Sequence, residues 1–281
     1  MSLILFSIPV HENNDVIRDT IDNIRQFAGA EHPIMLHVSR GWPGFDHSIA
    51  TEPNVWINPQ RWPTAHAHSQ IPTHVTNFCH AVDLGLPFTH MVIMHTSELL
   101  IRQGMPNHIA PHAHSLWFTP ETQPHDARWP PGIMVRHWWP GFAHYLGNLV
   151  EGSWYARDLF ADMSRWIKQQ PALWDAVHPQ ALEECLFPTL TWHLAGGRDP
   201  AHPFCAFKHD THFVQDVTWP QRIVDGQPVV IWQPNNFVYN WQPWPSTALY
   251  SIKRVSRDLD DPVRDWVRSL NTSSCWQNPQ P

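Results

Sequence analysis

Two adjacent carboxylates open an otherwise apolar stretch of the sequence. Glu183 and Glu184 precede a run of apolar character that ends at Thr189. A carboxylate at the edge of an apolar pocket can act as a general base, because desolvation raises its proton affinity towards the working pH. The alternative is an ordinary acidic first turn that stabilises a helix dipole, and spacing alone favours that alternative.

A pair of cations lies near the C-terminal end of the sequence. Lys253 and Arg254 are adjacent, and the chain has only two other lysines, Lys168 and Lys208. A lysine supplies a point charge and an arginine a fork of donors, so the pair suits a diphosphate leaving group. A solvated pair at the end of a strand is the alternative interpretation.

Tryptophan is abundant, with 17 among 281 residues. Trp138 and Trp139 are adjacent, and a second aromatic group, residues 151–154, has polar residues interleaved with it. Aromatic faces stack on sugar rings, but tryptophan is also simply a large core residue. The interleaved polar groups indicate an acceptor-binding site here, and the core interpretation stays open beside it.

Histidine is also frequent, with 21 residues, and two groups have spacings seen in metal sites. They are His66, His68 and His74, and His108, His112 and His114. Their neighbours are prolines expected in loops rather than a helical frame of ligands four residues apart. Exposed or hydrogen-bonded loop histidines are therefore the favoured interpretation. No metal is predicted, and a metal site stays open as the alternative.

Composition excludes several classes of protein. The 28 prolines exclude a long helical bundle, and the aromatic content excludes a disordered chain. With 18 Lys and Arg against 25 Asp and Glu, the net charge is −7, so no nucleic-acid partner is expected. The sequence has no G-x-G-x-x-G after its first strand, no Walker A sequence and no G-x-S-x-G. It therefore does not favour a dinucleotide-binding protein, an ATP-binding protein or an α/β-hydrolase.

The four cysteines and the N-terminal segment give information about the cellular compartment of the protein. No two cysteines have C-x-x-C spacing, which is typical of free buried thiols in a reducing compartment. The apolar residues 2–10 lack a basic flank and are too short to span a bilayer. These features predict a cytoplasmic protein with no transmembrane segment, with peripheral attachment to the inner membrane as an open alternative.

Strands alternate with helices in the first part of the chain. Apolar runs predict strands at residues 2–10, 33–38, 54–58 and 90–95, and apolar periodicity predicts helices at 16–27 and 71–84. Further helices are predicted at 158–169, at 179–194 with a kink or break at Pro188, and at 262–270, with long Pro- and Trp-rich loops over 200–245. The alternation predicts a single α/β domain with a mostly parallel, doubly wound sheet. Ligands of such sheets bind beyond the carboxyl ends of the strands.

The order of these motifs resembles the core 2 and I-branching N-acetylglucosaminyltransferase family and its bacterial relatives. The resemblance covers nearly the whole chain and rests on the motifs at 8–13, 35–40, 54–57, 92–100, 151–157, 183–189 and 252–255. It implies a GT-A type, Rossmann-like α/β fold, with residues 1–130 as the nucleotide-binding half and 131–281 as the acceptor and catalytic half. It also implies an inverting glycosyltransferase that works without a metal.

The resemblance further implies roles for individual residues. Glu184, five residues before Thr189, matches the general base, and Lys253 and Arg254 match the basic pair that holds the donor diphosphate. Contacts to the donor are expected at the strand ends, namely Pro9, His11, Glu12, Asn13, Ser39, Arg40, Ser97 and Glu98. Contacts to the acceptor are expected at Trp138, Trp139, Glu151, Gly152, Ser153, Trp154, Arg157 and Glu183.

Two motifs depart from the family. Ser39 stands where relatives carry the Asp of His-Val-Asp, and residues 97–100 replace a Ser-Gly-x-Asp-Tyr-Pro-Leu run. The expected enzyme moves a hexose or N-acetylhexosamine from a nucleotide sugar, UDP-linked in this expectation, to a glycan or lipid-linked glycan in polysaccharide biosynthesis. The alternatives are a Trp-rich carbohydrate-binding protein without catalysis and a His-dependent metal hydrolase.

Overall fold

A computed structural model describes most of the chain. The described residues are 2–11, 13–64, 69–116, 119–120, 130–147, 150–175, 181–197, 200–201, 203–207, 229–230, 243–244 and 249–270. Glu12, predicted to contact the donor, lies outside them, as do His66, His68 and most of the loops predicted over 200–245.

The described chain forms short and medium-length strands and helices. The strands are β1 (Ile4–Val10), β2 (Ile34–Val38), β3 (Val55–Ile57), β4 (His90–Ile93), β5 (Glu98–Leu100), β6 (Trp154–Ala156), β7 (Cys205–Phe207), β8 (Val229–Val230), β9 (Pro243–Trp244) and β10 (Ser251–Lys253). The α-helices are α1 (Asn14–Phe27), α2 (Ile71–Asp83), α3 (Met105–Ile109), α4 (Pro130–Trp138), α5 (Arg157–Lys168), α6 (Ala172–Asp175), α7 (Glu183–Ala195) and α8 (Pro262–Ser269). A 3₁₀ helix spans His47–Thr51.

A five-stranded sheet in the order β3-β2-β1-β4-β6 forms the centre of the fold. The first four strands run parallel, and β6 pairs antiparallel with β4 at one edge. A second sheet has the order β5-β10-β7, and β8 pairs with β9. The mostly parallel α/β sheet flanked by helices is therefore confirmed.

Both faces of the central sheet are covered. On one face, alternate residues of β1 pack with α1 and with apolar residues of β10 and α8. On the other face, Leu5 and Met35 pack with α2, α5 and α7. Burial on both faces explains why β1, β2 and β4 are mostly apolar and do not alternate between apolar and polar residues.

The local sequence determines where helix α1 begins and which of its faces is buried. Asn13 adopts a φ of 50°, and its side chain accepts hydrogen bonds from the amides of Asp15 and Val16, which caps the helix. The apolar residues at helical spacing are buried, among them Ile17, Ile21 and Phe27. The polar turn after β1 therefore places the start of α1 at the carboxyl edge of the sheet.

Two elements differ from the sequence expectations. Helix α4 forms over residues for which no helix was predicted. Helix α7 begins at Glu183, later than predicted, and it continues through Pro188, so the break is excluded while the kink stays a prediction. Because proline has no amide proton, α7 lacks the hydrogen bond from residue 188 to the carbonyl of Glu184, and tertiary packing holds the helix together across that gap.

Candidate active site

Lys253 lies at the centre of the candidate site, at the end of β10. Its ammonium nitrogen is 3.3 Å from Oε1 of Glu151 and donates a 2.8 Å hydrogen bond to Nδ1 of His95. The same Nδ1 lies 3.8 Å from Oε1 of Glu151. One ammonium is therefore shared by a carboxylate and an imidazole that follows β4.

The imidazole of His95 is neutral in this arrangement. Burial lowers the pKa of His95 well below its usual value, and the charge of Lys253 lowers it further. An unprotonated Nδ1 is what accepts the hydrogen bond from the ammonium. The proton of the neutral ring then belongs on Nε2, which is buried and has no hydrogen-bond partner in the described part of the chain.

Glu98 is a second carboxylate beside Lys253. It lies opposite Lys253 in the β5-β10 pairing, is fully buried, and accepts a 2.7 Å hydrogen bond from the hydroxyl of Ser251. Burial raises the pKa of Glu98 to about 7, and the charge of Lys253 opposes that rise. A large fraction of this carboxyl is therefore protonated at neutral pH.

A close approach of two backbones holds Glu151 in place. The next residue, Gly152, has a φ of +67°, and a Cβ added there would lie 2.4 Å from Cβ of Cys205. Its amide donates to the carbonyl of Ile93 at 3.2 Å. Only glycine fits this contact between the loop and β7, which explains the Glu-Gly pair in the sequence.

Glu183 and Glu184 have different surroundings although they are adjacent in the first turn of α7. Oε2 of Glu183 accepts hydrogen bonds of 2.9 Å from the hydroxyl of Ser69 and from the amide of Gln70, at the start of α2. Glu183 is only 4% exposed, and burial raises its pKa to about 7. Oε2 of Glu183 thus binds the start of α2, and contact of Glu183 with the acceptor stays a prediction.

Glu184 keeps part of its surface exposed. Burial of its carboxyl raises its pKa well above the usual value, and the charges of Glu151 and Glu183 raise it further. The charges of Lys253 and Arg254 oppose this rise, so both predicted cations act on the predicted base. Thr189, which completes the motif, is buried, and its hydroxyl oxygen accepts a 3.0 Å hydrogen bond from the amide of Leu146.

The loop after β1 and the loop after β4 meet a C-terminal segment. Nδ2 of Asn13 donates to the carbonyl of Arg257 at 3.3 Å, and Nε of Arg257 donates to the hydroxyl of Thr96 at 3.1 Å. His11, at the end of β1, adds to the charges that lower the pKa of His95. The predicted donor contacts His11, Asn13, Ser97 and Glu98 thus belong to one edge of the sheet, and Ser97 accepts a backbone hydrogen bond from Val255 there.

The predicted contacts after β2 are engaged within the chain. The hydroxyl oxygen of Ser39 accepts a 3.0 Å hydrogen bond from the amide of Thr64. The guanidinium of Arg40 lies 5.8 Å from the centroid of the Trp62 ring, and its Nε donates to the carbonyl of Arg61. Donor contact by Ser39 and Arg40 stays a prediction, whereas Pro9 is buried inside β1 and does not belong to the loop.

Two residues predicted to contact the acceptor, Trp154 and Arg157, have their side chains engaged within the chain. Trp154 is fully buried, and its ring stacks on that of Phe204 at 5.9 Å, so neither is available to a sugar. Arg157 lies at the opposite edge of the sheet, since its amide bonds the carbonyl of Thr89, just before β4. Its guanidinium lies 4.7 Å from the centroid of the Phe88 ring. A turn at Glu151 and Gly152 precedes β6, and Glu151 is the residue of this motif that contacts Lys253.

The tryptophan pair at the end of α4, Trp138 and the following Trp139, takes part in packing. The rings of Trp138 and Trp139 meet edge to face at 5.5 Å, and Trp139 packs on Trp166 of α5 at the same distance. Nε1 of Trp139 donates to Gln170 at 2.9 Å. Both rings lie partly buried against the core on the α5 side, so the core interpretation accounts for these contacts and sugar stacking stays a prediction.

Of the histidines at metal-like spacings, His66 and His68 lie outside the described residues, and the others are spread over separate elements. His74 is buried in α2, while His108 and His112 have ring centroids 6.1 Å apart beyond β5. In the part of the chain that the structure describes, no three His, Cys, Asp or Glu side chains are arranged to hold a metal ion. Burial lowers the pKa of His108 and His114 to about 4, so both rings are neutral at neutral pH.

Sequence reasoning missed two residues of the site. The sequence predicts His95 as the last residue of a strand, yet β4 ends at Ile93 and His95 follows it. Arg257 lies three residues after the predicted cation pair, and only this nearness could have marked it. Both residues are positioned in the site by contacts with residues more than 100 positions away in the sequence.

Comparisons with known proteins give little further information. No family model and no curated protein matches the chain. Among solved structures it is similar to S. aureus TarS (8% identity, 58% of this chain and 30% of that one, TM-score 0.34) and to S. aureus TarS 1–349 (8%, 58% and 49%, 0.32). It is also similar to a nucleoside-diphosphate-sugar pyrophosphorylase from Vibrio cholerae RC9 (9%, 68% and 88%, 0.39). These scores are too low to support an argument about family or activity.

None of the described helices is both long enough and apolar enough to cross a membrane.

Proposed function

We propose that the protein is an inverting, metal-independent glycosyltransferase that moves a sugar from a nucleotide-sugar donor to a hydroxyl of a glycan or lipid-linked glycan. Glu184 is the general base, and Lys253 and Arg254 hold the donor diphosphate. One observation carries the proposal. A buried carboxylate with a raised pKa and two cations that act on it occur together at one site beside the carboxyl edge of a parallel sheet.

The chemical step follows from this arrangement. The Glu184 carboxylate takes the proton of the acceptor hydroxyl as that oxygen forms a bond to C1 of the donor sugar. The bond from C1 to the phosphate oxygen breaks, and its electron pair leaves with the nucleoside diphosphate. Attack from the face opposite the leaving group inverts the anomeric centre, through a transition state of oxocarbenium character.

Cations are needed because the site is rich in acidic groups. Glu98, Glu151 and Glu184 surround one lysine, and the negative charge that grows on the departing diphosphate would add to theirs. Fixed cations aimed at that charge stabilise it without any reorganisation at the moment of reaction. Lys253 is already fixed by Glu151 and His95, so its ammonium is in place before the donor binds.

The raised pKa of Glu184 sets the direction of the pH dependence. A general base acts in its ionised form, and a raised pKa reduces the ionised fraction at neutral pH. The transfer rate therefore increases with pH until the carboxyl of Glu184 is fully ionised.

The experiment is a panel of UDP-, GDP-, CDP-, ADP- and dTDP-linked sugars incubated with the purified protein at pH 8, with and without EDTA. We expect slow hydrolysis of at least one donor at the same rate in both conditions. We also expect the matching nucleoside diphosphate to raise the melting temperature, since a ligand that binds only the folded state stabilises it. Turnover that EDTA abolishes and Mn²⁺ restores would contradict the metal-free mechanism. No turnover and no thermal shift with any nucleotide would contradict the whole proposal.

A further inference from the structure

The backbone at Arg254 has an unusual conformation. Its φ is 68°, which lies in the left-handed region that few residues other than glycine enter. In the described part of the chain, the other non-glycine residues with a positive φ are Asn13 and Asn54. Asparagine tolerates this region because its short side chain can hydrogen-bond to the local backbone. Arginine has no such compensation, so the conformation of Arg254 carries strain that the surrounding structure must hold.

The left-handed residue interrupts the alternation of side chains that begins in β10. Successive side chains of a strand point to opposite faces, so residues 252 and 255 of a regular strand would not share a face. Ile252 and Val255 nevertheless pack in the same apolar cluster, on the face of the central sheet that α1 covers. The change of direction occurs at Arg254, whose side chain stays out of this cluster and is exposed.

Contacts on both sides hold Arg254 in this conformation. The preceding residue, Lys253, pairs with Glu98 of β5. The following residue, Val255, is buried, and its amide donates a 3.0 Å hydrogen bond to the carbonyl of Ser97. The segment that carries Ser97 and Glu98 therefore fixes the backbone before and after Arg254. Strained residues that are fixed in this way cluster at active sites and ligand-binding sites.

The side chain of Arg254 differs from that of its neighbour. The ammonium of Lys253 is nearly buried and contacts Glu151 and His95. The guanidinium of Arg254 is exposed and makes no hydrogen bond or ion pair with any residue that the structure describes. The two charges nevertheless act on the same carboxyl, because each of them lowers the pKa of Glu184. One buried and one exposed cation therefore lie near a single carboxyl group.

We propose that the left-handed backbone of Arg254 is a positioning device, which directs its guanidinium towards the same ligand as the ammonium of Lys253. The ligand is the diphosphate of a nucleotide, and for that identity the inference rests on the proposed function. A guanidinium presents a planar fork that matches two phosphate oxygens, whereas an ammonium acts as a point charge. In a regular strand the two cations would point to opposite faces and could not bind one diphosphate together. The strain at Arg254 thus lowers stability and brings two cations to one site.

The strain is tested by the melting temperatures of Arg254→Gly and Arg254→Ala. Glycine adopts a positive φ without the steric penalty of a Cβ, whereas alanine retains that penalty. We therefore expect Arg254→Gly to melt about 2–6 °C above Arg254→Ala. The matched control is the pair Arg165→Gly and Arg165→Ala, at a 74% exposed arginine inside α5. There the order should be reversed, because glycine weakens the interior of a helix.

The shared ligand is tested by isothermal titration calorimetry of the full chain with UDP, GDP, CDP, ADP and dTDP. Arg254→Gly and Arg254→Ala both lack the guanidinium, so we expect each to weaken the tightest of these ligands by about tenfold to a hundredfold. Arg165→Ala should keep the wild-type affinity. In a double-mutant cycle, the losses caused by Lys253→Gln and Arg254→Ala should not be additive, because both cations bind the same diphosphate.

The outcomes separate this inference from the proposed function. If Arg254→Gly does not melt above Arg254→Ala, the strain is absent and the inference is overturned, while the proposed function stands. Unchanged affinity in both Arg254 variants, or additive losses in the cycle, would show that the two cations do not share a ligand and would also overturn it. A wild-type protein that binds none of these nucleotides contradicts the proposed function and the ligand inferred here. If Lys253→Gln does not fold, the Arg254 variants alone decide the inference.

Discussion

Two groups of buried polar side chains lie side by side and differ in how their charges are balanced. The inner polar cluster consists of Ser7, Asn58, His74, Thr76 and Asn77. The carboxylate cluster consists of His95, Glu98, Glu151, Glu184 and Lys253. The rings of His74 and His95 are parallel within 3°, with centroids 6.3 Å apart, so the two clusters adjoin.

The inner polar cluster contains only neutral groups, and they bond one another. Nδ2 of Asn77 donates to the Ser7 hydroxyl at 3.0 Å, and a 2.8 Å hydrogen bond joins that hydroxyl to Nδ1 of His74. Burial lowers the pKa of His74 to about 3, so its ring remains uncharged. Nε2 of His74 has no hydrogen-bond partner among the described residues, but the other contacts join neutral groups, which cost less to bury than charges, and they fasten α2 to the sheet.

The carboxylate cluster places three carboxyl groups around one ammonium. Oε2 of Glu151 is buried and has no hydrogen-bond partner among the described residues, and burial raises the pKa of Glu98 and Glu184. Such an arrangement reduces stability at the pH where the carboxyl groups ionise. The comparison shows that the polar groups buried next to the site are neutral, so the two clusters differ in charge, and buried carboxyl groups with raised pKa values are typical of functional sites.

The largest expected effect on stability comes from breaking the inner polar cluster with Asn77→Ala. Asn77 is fully buried, donates to Ser7 and to the carbonyl of Met35, and accepts from Asn58. Removing it deletes three hydrogen bonds and leaves buried partners unsatisfied, so we expect a loss of about 2–4 kcal/mol in the free energy of unfolding. Urea denaturation measures it.

The control for this prediction is Asn107→Ala, at an exposed position of α3. There the free energy of unfolding should change by no more than about 0.5 kcal/mol. If the two alanine variants lose the same amount, the inner polar cluster does not fasten the fold.

A smaller effect of opposite sign is expected in the carboxylate cluster from Glu98→Gln. The folded state raises the pKa of Glu98 from 4.5 to about 7, so it binds the proton more tightly than the unfolded chain does. Wild-type stability therefore falls as the pH rises through this window, and glutamine, which cannot ionise, avoids the loss. We expect the variant to be more stable than the wild type by on the order of 2 kcal/mol at pH 8.

The matching measurement is made at pH 4, where Glu98 is protonated in both states. There the gain of Glu98→Gln should vanish, because the amide and the protonated carboxyl are nearly isosteric and both accept from Ser251. A stability gain that does not change between pH 4 and pH 8 would show that ionisation of Glu98 is not its cause.

Much of the fold could be predicted from the sequence, because local patterns determine it. The apolar runs that became β1, β2 and β4 are buried on both faces, and α1 has a capping residue and an apolar stripe that can be seen in the sequence. Helix α4 could not be predicted, because it starts with two prolines and a glycine, and its packing against α7 stabilises it.

The candidate site could be predicted only in part, because its contacts join distant segments. The pair Glu183 and Glu184 stood out by composition, but what separates them is the contact of Glu183 with Ser69 and Gln70, more than 100 residues earlier. The sequence predicts Trp154 as a sugar platform, and its burial against Phe204 could not be read from the sequence. Composition identifies residues capable of chemistry, whereas tertiary contacts decide which of them remain available for it.

The most direct test of the central claim compares Glu184→Gln with its neighbour Glu183→Gln. Donor turnover and melting temperature are measured together at pH 8 for both variants and the wild type. If Glu184 is the base, Glu184→Gln reduces the turnover rate by about 100-fold or more, which is the usual contribution of a general base. The melting temperature of this variant is equal to or above that of the wild type. Glu183→Gln keeps most of its activity. A folded Glu184→Gln protein that retains most of the wild-type rate would contradict the account.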